Sequence, residues 1–334
     1  MCYSSSSTSS LSALFFFDRE AVGVQGELKL VSGSSNFELA QEISRHVGIR
    51  LTDTEIGRFP DGETSVHIKE TVRGADVCII QSTCPPVNDN LIELLLIIDA
   101  LKRASAERIT ALIPYYGYAR QDRKHIGRVP ISAKLVANII VRAGADRVLT
   151  LDLPAGQIQG FFDIPVDNLR GDPILAHYFR HQNLENTVIV SPDVGAAKRA
   201  RAVAERLELP LAIVEKSRVS PREVRALNII GEVKNKRAIL IDDILATGGT
   251  VIEAAKLLLD FGALEVCAAF THGVFAGEAV QRLEASPLKK VIVTNTVPVP
   301  KSPKIEMISI GALFAETIKR IHSEESVSEM FPHY

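Results

Sequence analysis

From Glu27 onward, short runs of β-branched residues alternate with longer amphipathic stretches, and this alternation decides the class of fold. The apolar pattern predicts strands over 28–31, 77–81, 108–114 and 148–151, separated by helices over 36–47, 88–104 and 131–142. The rhythm then repeats, with strands over 187–190, 211–214, 238–241 and 265–270 and helices over 196–207 and 250–261. Strands and helices in alternation give an α/β protein whose parallel sheets are flanked by helices on both faces. A helix end, a small residue suited to left-handed backbone and a following strand recur three times, at 103–109, 142–148 and 261–266. The copies are irregularly spaced, which argues against a solenoid and for two similar domains that meet near 168–173. A last helix over 312–322 follows the Pro298, Pro300, Pro303 segment and is expected to pack back on the first half.

Composition narrows the function classes. Of 334 residues, 46% are hydrophobic and 23% charged, which excludes a disordered or fibrous chain. The net charge of −2 argues against a nucleic-acid binder that works through bulk positive charge. Apolar runs fall short of the roughly 18 residues of a membrane span. Cys2, Cys78, Cys84 and Cys267 show no Cys-x-x-Cys spacing, which fits a reducing, cytoplasmic setting and neither a disulfide framework nor a zinc site. Residues 1–26 stand apart. They are rich in Ser and Thr, carry an apolar run over 11–17 and have no basic residue before Arg19. The expected reading is a disordered extension or an upstream start, with organellar targeting the weaker alternative.

The chemistry gathers at strand ends. The segment 238–250 reads Ala-Ile-Leu-Ile-Asp-Asp-Ile-Leu-Ala-Thr-Gly-Gly-Thr. Gly248 and Gly249 allow a tight turn, Thr247 and Thr250 add hydroxyls, and the following helix offers its N-terminus to a phosphate. Asp242 and Asp243 repel phosphate and suit sugar hydroxyls or a metal. Together they read as a ribose-phosphate site, and the ordinary alternative is a capped strand-turn-helix. Tyr118-Ala119-Arg120-Gln121-Asp122-Arg123-Lys124 follows another strand and suits a polyphosphate, although charged loops are more often simply solvated. Phe59-Pro60-Asp61-Gly62-Glu63 offers a stacking ring and two acceptors for an adenine, or merely a turn between strands. Asp193, in the segment 191–199, follows a further strand. Lys216 and Arg218 are two apart and face one way on a continuing strand. No Gly-x-x-x-x-Gly-Lys-Ser/Thr loop occurs, so any ATP use is not through that motif.

These pieces resemble one family. The 242–250 loop is similar to the ribose-phosphate loop of type I phosphoribosyltransferases. Taken with Ala119–Asp122 and Gln157-Ile158-Gln159-Gly160-Phe161-Phe162, in that order, it makes residues 28–331 resemble the ribose-phosphate pyrophosphokinases, or phosphoribosyl pyrophosphate synthetases. The resemblance implies transfer of the β,γ-pyrophosphate of ATP to the 1-hydroxyl of ribose 5-phosphate. It implies an ATP-binding domain over 27–170, a ribose-5-phosphate domain over 171–309, and the helix 310–322 returning to the first. Phe59, Asp61 and Glu63 would hold adenine across a subunit interface, and Arg120, Gln121 and Asp122 would hold the rest of ATP. Lys216 and Arg218 would be catalytic. Asp242, Asp243, Ala246, Thr247, Gly248, Gly249 and Thr250 would hold ribose 5-phosphate. Mg²⁺ would lie near Asp193 and Asp152. Phosphate and ADP would be effectors at a site near Arg73, Arg128, Gln159, Asp167 and Asn168, in dimers that build a homohexamer.

The sequence also departs from the family. Pro154 stands where the family has a His that helps bind Mg²⁺ and ATP, and Ala246 stands where many members have Asp. Gly156 and Gly311 replace Ser residues found in some members. Pro154 opens a second expectation, a catalytically impaired paralogue that serves as a regulatory or structural subunit. A transferase that consumes phosphoribosyl pyrophosphate is a third, disfavoured because the ATP segments are present.

Overall fold

The computed structural model describes residues 26–217 and 226–331. The extension expected over 1–26 therefore lies, all but Gly26, outside the described residues. The first half contains β1 (Leu28–Ser32), α1 (Phe37–Val47), a hairpin of β2 (Thr54–Arg58) and β3 (Thr64–Ile68), and β4 (Asp76–Ile80). It continues with α2 (Val87–Arg103), β5 (Arg108–Ile113), α3 (Ser132–Ala143), β6 (Arg147–Leu151) and β7 (Val166–Leu169). The sheet order is β1-β4-β5-β6-β7, and every pair is parallel.

The second half contains α4 (Asp172–Arg180), β8 (Thr187–Ser191), α5 (Ala197–Leu207), β9 (Leu211–Ser217), β10 (Ala226–Ile230) and β11 (Arg237–Leu245). Then come α6 (Gly249–Asp260), β12 (Glu265–Gly273), α7 (Ala279–Glu284), β13 (Lys290–Thr294), β14 (Ile305–Ile308) and α8 (Gly311–His322). Here the order is β10-β9-β8-β11-β12-β13-β14, parallel except for the β9–β10 pair. The two halves are thus α/β units with predominantly parallel sheets flanked by helices. The chain leaves β8 toward one edge and returns on its other side as β11, so the sheet reverses its winding between them. Open α/β sheets bind ligands outside the strand ends at such a reversal.

Burial explains the layers. Strands β4 and β8 are buried along their whole length, as parallel strands covered on both faces must be. Leu94, Ile97 and Ile98 of α2 pack one face of the first sheet with Ile140 of α3. Leu39 and Ile43 of α1 pack the other face, joined by Phe314 and Ile318 of α8. In the second half, Val251 and Leu258 of α6 cover one face, and Leu175 of α4 with Val203 of α5 cover the other. The three recurring turns each place one residue in the left-handed region: Ser105 at φ 62°, Gly144 at φ 121° and Gly262 at φ 88°. Gly144 has a second constraint, since a Cβ there would come within 2.4 Å of Lys102 Cδ. Among the described residues no helix is long and apolar enough to cross a membrane, and Cys78, Cys84 and Cys267 are free thiols.

Helix α8 is tied to the first sheet by charge as well as by packing. Asp76 opens β4 and is buried; it accepts from Arg108 Nε at 2.8 Å and Nη2 at 2.6 Å, and lies 2.7 Å from His322 Nδ1. Arg108 Nη2 also donates to the Ile321 carbonyl at 3.0 Å. Removing one member of a buried pair leaves the other charge uncompensated. Asp76→Ala should therefore cost about 3 kcal/mol in urea unfolding, and a loss below about 0.5 kcal/mol would show that α8 is held by packing alone.

Candidate active site at the junction of the two sheets

Both sheets present their carboxyl ends to the same crevice. Cys84 and Tyr115, which follow β4 and β5, pack against Val297 beyond β13, with Ile244 of β11 beside them. The acid pair sits on this crevice. Strand β11 does not stop before the acids, as the sequence suggested, but runs through them to Leu245, because β12 stays paired to it as far as Leu245↔Gly273. Its other neighbour, β8, is paired only as far as Leu240. The chain from Asp242 onward is thus supported on the β12 side and open toward the residues that follow β8.

Asp242 and Asp243 are half-buried and adjacent, and the Asp243 N–H donates to Asp242 Oδ1 at 2.8 Å. Burial, then the neighbouring Asp243 charge, push the Asp242 carboxyl up to about 7. Arg199, on α5, opposes this: its Nη1 lies 3.7 Å from Asp242 and its Nη2 3.3 Å from Asp243. Downstream, the Leu245 and Ala246 carbonyls accept from Val274 and Ala276 at 2.9 and 3.0 Å, which pins the loop. Gly248 takes φ 75° and no side chain caps α6. The first N–H groups of that helix, having no acceptor within it, face a ligand position. Arg282 of α7 reaches over the same turn, since a Cβ built on Gly249 would lie 3.5 Å from its Nη2. Among the described residues the Arg282 side chain has no hydrogen-bond or ion-pair partner.

Across the crevice, Arg120 is exposed just beyond β5 and likewise has no such partner among the described residues. Burial raises the Tyr115 phenol; Arg120 pulls it down and Asp243 pushes it up, so groups from both halves act on one ring. Gln121 Oε1 accepts from Ser132 Oγ at 2.5 Å, and Asp122 Oδ2 accepts from Gln157 Nε2 at 3.0 Å. A cleft of about 650 Å³ continues from there, lined by Asp152, Pro154, Gln159, Asp167, Lys198 and Arg199 among others. Asp167 is paired to Arg147 at 2.5 Å, and Asn168 Oδ1 accepts from the Leu153 N–H at 3.1 Å. Arg73, which donates to Ser105 Oγ at 3.3 Å, and the exposed Arg128 do not line this cleft.

The two residues expected near Mg²⁺ are already engaged. Asp152 is buried, and its Oδ2 accepts from Thr271 Oγ1. Asp193 Oδ1 accepts from the Ala196 N–H at 3.0 Å as the chain turns into α5. Phe59, Asp61 and Glu63 lie at the exposed tip of the β2–β3 hairpin, closed by Phe59 N–H to the Glu63 carbonyl at 2.8 Å, and line none of this crevice. Lys216 lies on β9 opposite Leu227, and Arg218 lies outside the described residues. Arg199 and Arg282 were not singled out from the sequence. Arg199 stood in the segment 191–199 without a role, and Arg282 is on a six-residue helix that carries no motif.

Comparison with known proteins adds the decisive observation. Residues 28–144 match the model of the N-terminal domain of ribose phosphate pyrophosphokinase, and residues 217–332 match the phosphoribosyl synthetase-associated domain. A ribose-phosphate pyrophosphokinase of Caldanaerobacter subterraneus subsp. tengcongensis is 56% identical over 308 residues, covering 91% of this chain and 98% of its own. The chain belongs to the ribose-phosphate pyrophosphokinase family. A pyrophosphokinase of that name from Nostoc sp. is 51% identical over 96% of this chain and 99% of its own. The crystal structure of phosphoribosylpyrophosphate synthetase from Mycobacterium smegmatis superposes with a TM-score of 0.85 at 43% identity, covering 89% of this chain and 99% of the other.

The acid pair makes a prediction about the free protein. Unfolded, Asp242 ionises near its ordinary value of 3.8, well below about 7 in the fold. Between these values the folded chain holds a proton that the unfolded chain has released, so stability falls as pH rises. Asp242→Asn removes that slope. Compared with the parent, the variant should gain roughly 2 kcal/mol between about pH 4 and pH 8 in urea unfolding, solvent at the half-buried site reducing the fully dry figure. A difference independent of pH would contradict a carboxyl held near neutrality.

Proposed function

We propose that the protein is a ribose-phosphate diphosphokinase that transfers the β,γ-pyrophosphate of ATP to the 1-hydroxyl of ribose 5-phosphate, giving phosphoribosyl pyrophosphate and AMP. The observation that carries this is the juxtaposition, across the Cys84, Tyr115 and Val297 contact, of an acid pair and an uncapped helix start in one half with Arg120 of the other, which has no ion-pair partner among the described residues. The sugar phosphate takes the 246–250 turn, and Asp242 and Asp243 hold its ring hydroxyls. Arg120 takes polyphosphate oxygens from the opposite side. Little covalent chemistry is asked of the protein, because such transfers depend on alignment and on cations around the phosphates.

The donor set fits Mg²⁺ bound together with substrate. Among the described residues there is no cluster of three or more His, Cys, Asp or Glu able to cage a metal, and Mg²⁺ is normally held by one or two carboxylates plus substrate phosphates. Asp242 and Asp243 are the carboxylates that lack an adequate counter-charge, and Asp193 lies in the turn after β8, the strand beside theirs. Bound there, Mg²⁺ supplies charge neutralisation. Lys216 and Arg218 are assigned the remaining positive charge at the attacked phosphorus. The tip residues Phe59, Asp61 and Glu63 are assigned to the adenine of a neighbouring copy in a homo-oligomer, with phosphate and ADP as effectors. The exposed Phe59 ring supports this, being 54% accessible in the single chain. No observation favours a silent subunit, since Pro154 leaves the acid pair, the phosphate turn and Arg120 in place.

Purified protein should release AMP from ATP only when ribose 5-phosphate and Mg²⁺ are both present, followed by a coupled AMP assay. No turnover at saturating Mg²⁺, or AMP release without the sugar phosphate, would overturn the assignment. Within it, Arg282 adds a cation to the 5-phosphate. Arg282→Ala should raise KM for ribose 5-phosphate about tenfold, a loss of about 1.4 kcal/mol, and Arg282→Lys less. KM for ATP should not change, and an equal rise in both would remove Arg282 from the phosphate position.

A further inference from the structure

The junction between the halves carries a buried polar network that neither half-site uses for substrate. His272, on β12, is 2% exposed. Its Nε2 lies 3.1 Å from the Leu151 carbonyl oxygen at the end of β6, and its Nδ1 lies 3.0 Å from Thr296 Oγ1. A carbonyl only accepts, so Nε2 carries the proton and Nδ1 accepts from the Thr296 hydroxyl, which satisfies both nitrogens of a neutral ring. The Tyr115 ring meets the imidazole edge-on, with centroids 5.2 Å apart. The preceding residue makes a second link, with Thr271 Oγ1 donating to Asp152 Oδ2. Gly171 leaves room for it, since a Cβ there would come within 2.6 Å of both oxygens.

The first-half side of this network is the turn 152–154, which lines the large cleft. Asp152 enters it at φ 44°, a conformation unfavourable for a residue with a Cβ, so surrounding contacts must hold it. Four do: the imidazole on the Leu151 carbonyl, Thr271 on the Asp152 carboxylate, Asn168 on the Leu153 N–H, and the Leu169 carbonyl, which accepts from the Asp152 N–H at 3.0 Å. The second-half side is the acid-pair strand itself, because His272 is in register with Ile244, the residue after Asp243.

We propose that His272 is a positioning residue whose imidazole, held between the Leu151 carbonyl and Thr296, fixes the separation of the sugar-phosphate half-site from the nucleotide half-site. This rests on the reading of the two half-sites given above. Arg120 and the sugar-phosphate turn come from different halves, so loosening the link leaves the contacts each makes with its own substrate intact and removes their mutual alignment. Alignment is a large share of the rate in a reaction between two bound partners.

The test uses the full chain with His272→Ala, His272→Gln, whose amide can still donate to the Leu151 carbonyl, and Thr296→Val, which removes the partner hydroxyl at nearly constant volume. His272→Ala should lower kcat at least tenfold while KM for ATP and for ribose 5-phosphate each stay within about threefold. His272→Gln should recover much of the loss, and Thr296→Val should lower kcat severalfold with the same KM pattern. Amide hydrogen exchange gives a readout independent of activity: in His272→Ala the amides of residues 151–153 should exchange at least tenfold faster while β8 and β11 stay protected. Unchanged kcat in folded His272→Ala or Thr296→Val, a rise in KM alone, a failure of His272→Gln to rescue, or unchanged exchange over 151–153 would overturn the proposal. If the parent makes no AMP, the activity reading fails and the exchange result still decides the link.

Discussion

A parallel strand hands its loop to one end of the sheet, so a stack of parallel strands collects its variable loops along a single edge. This chain has two such edges and sets them face to face, with Cys84, Tyr115 and Val297 in apolar contact and His272, Thr271 and Ser82 among the polar links. The rest depends on that apposition. Asp242, Asp243, Arg199 and the 246–250 turn come from one edge; Arg120 and the turn 152–154 come from the other. The cores on the four sheet faces matter to function because they keep the two edges rigid enough to meet.

Electrostatics at the crevice are left deliberately unbalanced. Two carboxylates on successive residues in a half-dry site repel each other, and one guanidinium at 3.3 and 3.7 Å does not cancel them. A structural ion pair would be closer and better matched, as Asp76 is by Arg108. Arg120 on the opposite side, and Arg282 over the phosphate turn, have no ion-pair partner among the described residues. Acids with too little counter-charge and cations with none, held apart by the fold, leave a site suited to a cation, a sugar and phosphates. The stability forgone in the free protein becomes binding free energy when those arrive.

The fold was legible wherever periodicity was strong. Helix α1 starts one residue into the predicted 36–47 stretch, with Asn36 as its cap, Oδ1 accepting from the Leu39 N–H, and the three left-handed turns fall where small residues preceded strands. The segment 59–63 reads as a turn between strands, as it is, but strands β2 and β3 themselves were not predicted, because Gly57 interrupts one and both are only half-buried, which blurs the alternation. Helix α4 was missed beside Pro173, and the short β13 and β14 were lost among prolines. Strand β11 was ended too early because aspartate disfavours strands, and only the pairing with β12 keeps it extended. Within the site, the 242–250 motif could be read because its chemistry is contiguous. Arg199, Arg282 and His272 could not, because what gives each its role is a neighbour distant in sequence.

The same distinction bears on Pro154. Read along the sequence, a proline in place of a metal-binding His looks like damage to the site. In the structure the turn it belongs to is held from both halves, and proline suits that turn. It fixes its own φ and keeps Leu153 extended, while Asn168, Thr271 and His272 hold the residues before it. The position contributes shape and no ligand atom. On the proposed function, a cation would be held instead by the Asp242–Asp243 pair, which the fold leaves without adequate counter-charge, together with the substrate's own phosphates. A turn that has become purely structural depends all the more on what fastens it, and that makes the buried imidazole at its root consequential for a reaction in which it touches neither substrate.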